Sequence, residues 1–351
     1  MKTKEMGYNY YHTNHLRPQS MESLITVFLI PLILALGLSK LVIYWFGRQL
    51  LDIPNNRSSH TTPTPRGGGI AIVLATLIAM LVAYTSGLIS HVTLYLLAPG
   101  LLMAVLGISD DLITLNIRIR LIIQLVTACI TTGAILNSTP LSIPMAALLG
   151  VAAIIGIVWL TNLYNFMDGI NGLAALQTVF ACCSMSFLFY LQGDYNETIP
   201  LMLALGSASL GFLYWNFPHA KLFMGDAGSL FIGITLATLM TWTARNDLIT
   251  ACSWLIVLAV FIVDASYTLT FRLVTGQKFY QPHRSHFYQK IAIKLNSHTK
   301  ATLLLISFNL FWLFPIALVV QLGKINVIAA LCLAYLPTVY GTYRIKAGKP
   351  E

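Results

Sequence analysis

The chain has 351 residues, of which 57% are hydrophobic and 9% charged, with a mean hydropathy of +0.75. A soluble domain carries about 25% charged residues, so a water-soluble globular fold is excluded. The formal charge of +9 points to anionic lipid or a phosphorylated substrate rather than nucleic acid.

The first 20 residues are polar and aromatic, without the short apolar core and small-residue cleavage site of a signal peptide. Met21 directly precedes the first apolar run, so residues 1–22 read as a polar tail, either dispensable or lying before the true start. Eleven apolar runs follow, near 23–45, 68–89, 92–109, 119–137, 146–165, 170–191, 199–216, 227–244, 250–271, 301–321 and 325–343. Each approaches the ~20 residues that a bilayer requires of a helix. The pattern predicts an all-α, polytopic membrane protein of about 11 transmembrane helices, with one membrane domain over 23–343 and a tail at 344–351. The five cysteines fall within the apolar runs, lack metal-ligand spacing and are expected to form no disulfides.

Most of the 21 Lys and Arg residues lie in one alternate set of connections, including 46–67, 272–300 and the stretch after 343. Basic residues favour cytoplasmic loops, which predicts an outside N-terminus and a cytoplasmic C-terminus. Asp52, Asp110, Asp111, Asp168 and Asp226 all fall at span ends on that same side. Asp264 precedes Arg272 by eight residues, ~12 Å deeper at helical rise.

In chain order, the first polar stretch is DIPNNRSSHTTPTPRGGGIAI at 52–72. It carries Arg57, His60 and Arg66, and its three glycines offer backbone N–H groups to an anion at a helix start. GISDDLITLNIRIR at 107–120 sets Asp110 beside Asp111 and then presents Arg118 and Arg120. Adjacent carboxylates are costly near a bilayer without a cation or proton, so the pair reads as metal-linked or proton-accepting, with the arginines as phosphate ligands. A solvated helix end with snorkelling arginines is the bland alternative.

NLYNFMDGING at 162–172 puts Asn162, Asn165 and Asp168 on one helical face. Helix caps explain one or two such residues but not three in a stripe. WNFPHAKLFMGDAGSLFIG at 215–233 places Asp226 at a span start, as a helix cap or as an oxygen ligand for Mg²⁺. Asn216 and Phe223 just upstream suit a nucleobase. QPHRSHFYQK at 281–290 brings His283, Arg284 and His286, able to hydrogen-bond or pair with phosphate. A basic loop needs no function, and two histidines with one acid nearby disfavour a zinc site.

Together PTPRGGG, the paired aspartates, NxxNxxDGxNGLA, FMGDxGS and HRSH resemble, in order over 52–290, the polyprenyl-phosphate N-acetylhexosamine-1-phosphate transferases, the MraY/WecA-like superfamily. The eleven-span map resembles the WecA branch. The resemblance implies transfer of a sugar 1-phosphate from a UDP-sugar to undecaprenyl or another polyprenyl phosphate with release of UMP. It further implies Mg²⁺ (or Mn²⁺), a bacterial inner membrane and a cytoplasmic site, with a homodimer as one option and no nucleic-acid partner. On the matching positions, Asp110, Asp111 and Asp168 are implied as catalytic carboxylates, Asp226 and Asn165 as metal ligands. Asn171, Asn216 and Phe223 are implied as uridine contacts, and His283, Arg284, His286 and Arg118 as further substrate contacts.

HRSH departs from the triple histidine of the peptidoglycan branch, and Ser58–Ser59 stand where that branch carries a lysine. Both departures favour an N-acetylhexosamine over phospho-MurNAc-pentapeptide, the alternative donor. A secondary transporter is the rival class, but its acids would lie near the midplane between repeats, and no internal repeat is visible.

Overall fold

In the computed structural model, described for residues 21–47, 51–52, 63–137, 139, 142–193, 197–245, 247–278, 281 and 283–350, the chain is a bundle of helices with one two-stranded ladder. The expected tail at 1–20 and the positions of Arg57, Ser58, Ser59 and His60 lie outside the described residues. The helices are α1 (Met21–Phe46), α2 (Gly68–Thr85), α3 (His91–Ile113), α4 (Ile117–Asn137), α5 (Ile143–Met167), α6 (Leu173–Leu191) and α7 (Thr198–Asn216). They continue with α8 (Gly225–Ala244), α9 (Leu248–Val257), α10 (Ala259–Val274), α11 (Phe287–Lys294), α12 (His298–Phe308), α13 (Phe314–Gln321) and α14 (Val327–Arg344). Strands β1 (Leu51–Asp52) and β2 (Thr64–Pro65) pair antiparallel, Asp52 opposite Thr64.

Among the described residues nine helices are long and apolar enough to cross a membrane, or ten if the bent pair α9–α10 is one span. The fold is therefore all-α and polytopic, close to the expected eleven. The shortfall is α14, which is helical as expected but is diluted by Tyr335, Pro337, Tyr340, Tyr343 and Arg344. A second departure lies at 250–271, expected as one continuous span and found broken at Leu258 with a 71° bend. A break in lipid frees backbone groups that need partners. Here Gln177 Nε2 donates to Val257 O at 3.0 Å, Asn309 Nδ2 donates to Gln177 Oε1 at 2.5 Å, and Tyr335 Oη donates to Leu255 O at 3.1 Å. Asn309 itself begins a π-helical turn, Asn309–Leu313, between α12 and α13.

The interior is built from α6, α7 and α8, whose most apolar windows are each 72% buried against 11% for α5. Lipid offers no hydrophobic drive between helices, so close contact falls to small residues. A Cβ on Gly69 would come within 2.1 Å of Gly228 N, and one on Gly100 within 2.4 Å of Thr235 Oγ1. Thr161, Thr235 and Ser209 turn their hydroxyls back to the carbonyls of Ile157, Phe231 and Leu205 at 2.7–2.8 Å, satisfying them without water. α8 packs on α2, α3 and α5, which brings its N-terminus among their ends.

Residues 345–350, within the expected tail at 344–351, pack onto the histidine segment. Gly348 N donates to Ser285 O at 2.8 Å, Lys290 Nζ donates to Lys346 O at 2.8 Å, and Ala347 is buried.

Candidate active site

Asp226, the second residue of α8, is the meeting point. Asp111, in the last turn of α3, faces the start of α8, where the N–H groups of Asp226 and Ala227 donate to its two oxygens at 3.3 and 3.4 Å. Such contacts complement the positive end of a helix dipole. Gly107 lets α3 approach: a Cβ there would lie 2.4 Å from Asp226 C and O. Gly225, at φ +75, adopts a conformation that side chains resist, and its Cβ would meet Asp111 Oδ2 at 2.8 Å.

Asp110 is 9% exposed and accepts Leu115 N at 2.7 Å on Oδ1 and the Arg120 guanidinium on Oδ2. Arg120 Nη1 also reaches Asp226 Oδ2 at 3.4 Å, so one guanidinium from α4 spans both acids. Asn165 Nδ2, from the last turn of α5, donates to Asp226 Oδ1 and to Ser229 Oγ, each at 2.9 Å. That leaves Asn165 Oδ1 without a hydrogen-bond partner among the described residues. Asp168 follows α5 directly, half-buried, and its carboxylate likewise has no hydrogen bond or ion pair among the described residues. Burial raises the Asp168 carboxyl well above the ordinary range, Asp226 and Asp111 push the same way, and Arg66 opposes them.

Arg66 ion-pairs with Asp52 across the β-ladder at 2.8 Å. Burial works against its charge, but Asp52, Asp111 and Asp226 outweigh that and its pKa is raised. Two of the three glycines after it do not offer their N–H groups to an anion. Gly68 and Gly69 donate their N–H groups to Phe223 O and Met224 O at 2.9 and 2.8 Å, clasping α2 to the lead-in of α8. Their small size serves packing instead.

The remaining candidates divide. Asn216 is 4% exposed and spends both amide atoms on backbone, accepting Gly172 N and donating to Leu222 O, each at 2.8 Å. It therefore shapes the turn beneath Asn171, whose Nδ2 donates to Pro218 O at 3.0 Å and whose Oδ1 faces His298 Nδ1 at 3.3 Å. Phe223 is half-buried beside the clasp. Arg118 is exposed, outside the carboxylate cluster that Arg120 enters. Asn162, expected on the stripe with Asn165, turns to α4 and donates to Gln124 Oε1 at 2.6 Å.

In the histidine segment Arg284 is half-buried and His286 is 4% exposed, its Nδ1 3.2 Å from Asp264 Oδ1. His283 shares a hydrogen bond with Ser285 Oγ at 2.9 Å. Burial, His286 and Arg272 lower its pKa to about 3, so at neutral pH it offers a hydrogen bond and not a charge. Ser229 belongs to the FMGDxGS motif but had no role assigned to it, Gln124 was not singled out, and Asp264 was located without a partner.

The donor set fits a hard divalent cation. Asp110, Asp111, Asp168 and Asp226 meet two guanidiniums, those of Arg66 and Arg120, and the open positions on Asp168 and Asn165 are oxygens. Among the described residues no three His, Cys, Asp or Glu side chains are placed to hold a metal ion by themselves. Mg²⁺ asks for less, since it is commonly held by one or two carboxylates together with substrate phosphates and water.

Comparison of the sequence with known proteins gives the family. The sequence model of glycosyl transferase family 4 matches residues 93–244. A protein of Bacillus subtilis called "Probable undecaprenyl-phosphate N-acetylglucosaminyl 1-phosphate transferase" is 30% identical over 283 residues, covering 77% of this chain and 76% of its own. The chain belongs to glycosyl transferase family 4. Other members similar to it include the decaprenyl-phosphate N-acetylglucosaminephosphotransferase of Mycolicibacterium smegmatis, 31% identical over 72% of this chain and 71% of its own. The undecaprenyl-phosphate alpha-N-acetylglucosaminyl 1-phosphate transferase of Yersinia pestis is 28% identical over 69% of each. The family match covers α3 to α8, the helices that carry Asp110, Asp111, Asn165, Asp168 and Asp226.

Proposed function

We propose that this family 4 member transfers N-acetylglucosamine 1-phosphate from UDP-N-acetylglucosamine to undecaprenyl or another polyprenyl phosphate, releasing UMP. The observation that carries the reading is the convergence of Asp110, Asp111, Asp168, Asp226 and Asn165 at one end of the bundle, beside Arg66 and Arg120. The names of the similar proteins support the sugar and the lipid acceptor.

The chemistry follows from the charges. An oxygen of the lipid phosphate attacks the β-phosphorus of the UDP-sugar; the bond from that phosphorus to the bridging oxygen breaks, and UMP departs with the electron pair. One phosphoanhydride replaces another, so no ATP site is needed. A phosphate monoester has a second pKa near 6, so the acceptor is largely ionised at neutral pH and needs little help from a base. The barrier comes from bringing anions together at phosphorus, as in other phosphoryl transfers.

Mg²⁺, held by Asp226 and Asn165, would neutralise diphosphate charge and favour departure of UMP. Asp111 braces Asp226 through the start of α8, and Arg120 balances Asp110 and Asp226. Asp168, with no hydrogen bond or ion pair among the described residues, would face the reacting groups. Phe223 offers a ring for the uridine, near a turn that Asn171 and Asn216 fix through their amides. His283, Arg284 and His286 are the groups of the histidine segment that would contact the diphosphate. Basic-loop bias supports a cytoplasmic position for this end and an outside N-terminus, in what would be a bacterial inner membrane.

Purified protein supplied with polyprenyl phosphate and a panel of UDP-sugars tests the reading. The expected result is UMP release with UDP-N-acetylglucosamine and none with UDP-MurNAc-pentapeptide. Asp226→Asn should nearly abolish turnover and weaken its Mg²⁺ dependence. Preference for the muramyl substrate, or near-normal Asp226→Asn activity at ordinary Mg²⁺, would overturn it.

A further inference from the structure

Asp264, the sixth residue of α10, is a carboxylate with no exposure and stands apart from the group at Asp226. A buried charge is tolerated only with dense compensation. Among the described residues its hydrogen-bond partners are Thr268 Oγ1 at 3.2 Å and otherwise the histidine segment. Asp264 Oδ1 accepts Phe287 N at 2.8 Å and faces His286 Nδ1 at 3.2 Å; Oδ2 accepts Tyr288 N at 2.9 Å. One carboxylate thus caps the first two residues of α11 and holds the histidine that precedes them.

The contacts run on towards Asn165 and Asp168. Tyr288 Oη donates to Phe166 O at 3.0 Å. Gly169 admits that hydroxyl, since a Cβ there would lie 2.0 Å from it. The Phe166 ring stacks on His286 with centroids 6.3 Å apart. Phe166 sits between Asn165 and Asp168 in sequence, so the segment bearing the open oxygens is tied to the segment bearing the histidines, and both are referred to Asp264.

We infer that Asp264 is a positioning residue for the transfer reaction, fixing His286 with its proton on Nδ1 and holding the 165–168 turn through Tyr288. An ionised carboxylate only accepts, so the contact requires Nδ1–H and leaves Nε2 as the acceptor nitrogen of the ring. In Asp264→Asn one oxygen becomes an N–H donor, which must face either the Tyr288 N–H or the pair formed by Phe287 and His286. The inference rests on the transferase reading for its kinetic consequence but not for its structural one.

The test uses full-length protein in lipid nanodiscs with ¹⁵N-labelled histidine, the His286 resonances being those lost in His286→Gln. Wild type should show His286 protonated at Nδ1. Asp264→Asn should lose that signature and lower kcat at least tenfold while KM for UDP-N-acetylglucosamine stays within threefold. Tyr288→Phe should keep the Nδ1–H signature and still lower kcat severalfold, because only the link to Phe166 is cut. If Asp264→Asn does not fold, Thr268→Val, which leaves the charge and removes one neighbour, should shift the His286 resonances and lower kcat. An unchanged tautomer or wild-type kcat in folded Asp264→Asn would overturn the inference. So would wild-type His286 resonances and kcat in Thr268→Val where Asp264→Asn is unfolded. Absence of transfer by the wild type would instead reject the proposed function, with the resonances still reporting on Asp264.

Discussion

Gly107 lies against the peptide of Asp226, with room for no side chain: a Cβ at 107 would come within 2.4 Å of Asp226 C and O and 2.5 Å of Ala227 Cα. Two helix ends, each carrying acids, are in contact there through backbone alone. Gly107→Ala should therefore displace Asp226 from Asp111 and lower kcat at least tenfold, about 1.4 kcal/mol. Gly133→Ala is the control. It sits in α4 with nothing within 4 Å of its would-be Cβ, and should leave activity unchanged while gaining up to about 1 kcal/mol of helix propensity. Parallel kinetics and thermal melts of the two variants check this; equal activity would deny the contact any role.

Arg120 and Arg118 should separate cleanly. Arg120→Ala removes the guanidinium shared by Asp110 and Asp226 and strands a buried carboxylate, a change that typically costs 3–5 kcal/mol. Loss of turnover and a lower melting temperature are expected. Arg118 is exposed and touches none of the four acids, so Arg118→Ala should leave the melting temperature alone and act, if at all, on KM. Steady-state kinetics with thermal melts of both variants decide it.

The pH dependence of stability carries a signature of His283. Its folded pKa of about 3 lies below the ordinary His value near 6.5, so the unfolded chain binds the proton more readily than the folded one. Stability from this residue is present above pH 6.5 and is lost as pH falls towards 3. His283→Gln should thus melt with a weaker dependence on pH between 6.5 and 4 than wild type. The activity profile between pH 6 and 9 should contain no limb that disappears with His283.

Topology is open to direct labelling. In a cysteine-free background, Lys294→Cys, exposed at the end of α11, should be shielded from an impermeant thiol reagent in intact cells. Gln192→Cys, exposed after α6, should react. The reverse pattern would invert the orientation that the basic loops imply.

The span pattern and the one-sided acids were legible because both depend on composition along the chain. The break at Leu258 was not, since 250–271 contains neither Gly nor Pro. What sustains it comes from Gln177 and Asn309, distant in sequence. Arg118 and Arg120 looked equivalent as sequence, yet positions i and i+2 do not share a helical face, and only Arg120 turns inwards. Three glycines after Arg66 suggested an anion cradle, but the N–H groups of Gly68 and Gly69 are claimed by a segment distant in sequence, at Phe223 and Met224. Asp264 could be located from sequence, whereas its partners arrive through a loop return that no local pattern encodes.

The fate of the β-phosphorus tests the central claim most directly. UDP-N-acetylglucosamine carrying ³²P at the β-position is incubated with purified protein, polyprenyl phosphate and Mg²⁺, and the lipid extract is separated from the aqueous phase. Transfer of sugar 1-phosphate predicts that the label enters the lipid in equal amount with the sugar, while unlabelled UMP appears in water. Label recovered as UDP, with sugar alone in the lipid, or no labelled lipid at all, would contradict the account.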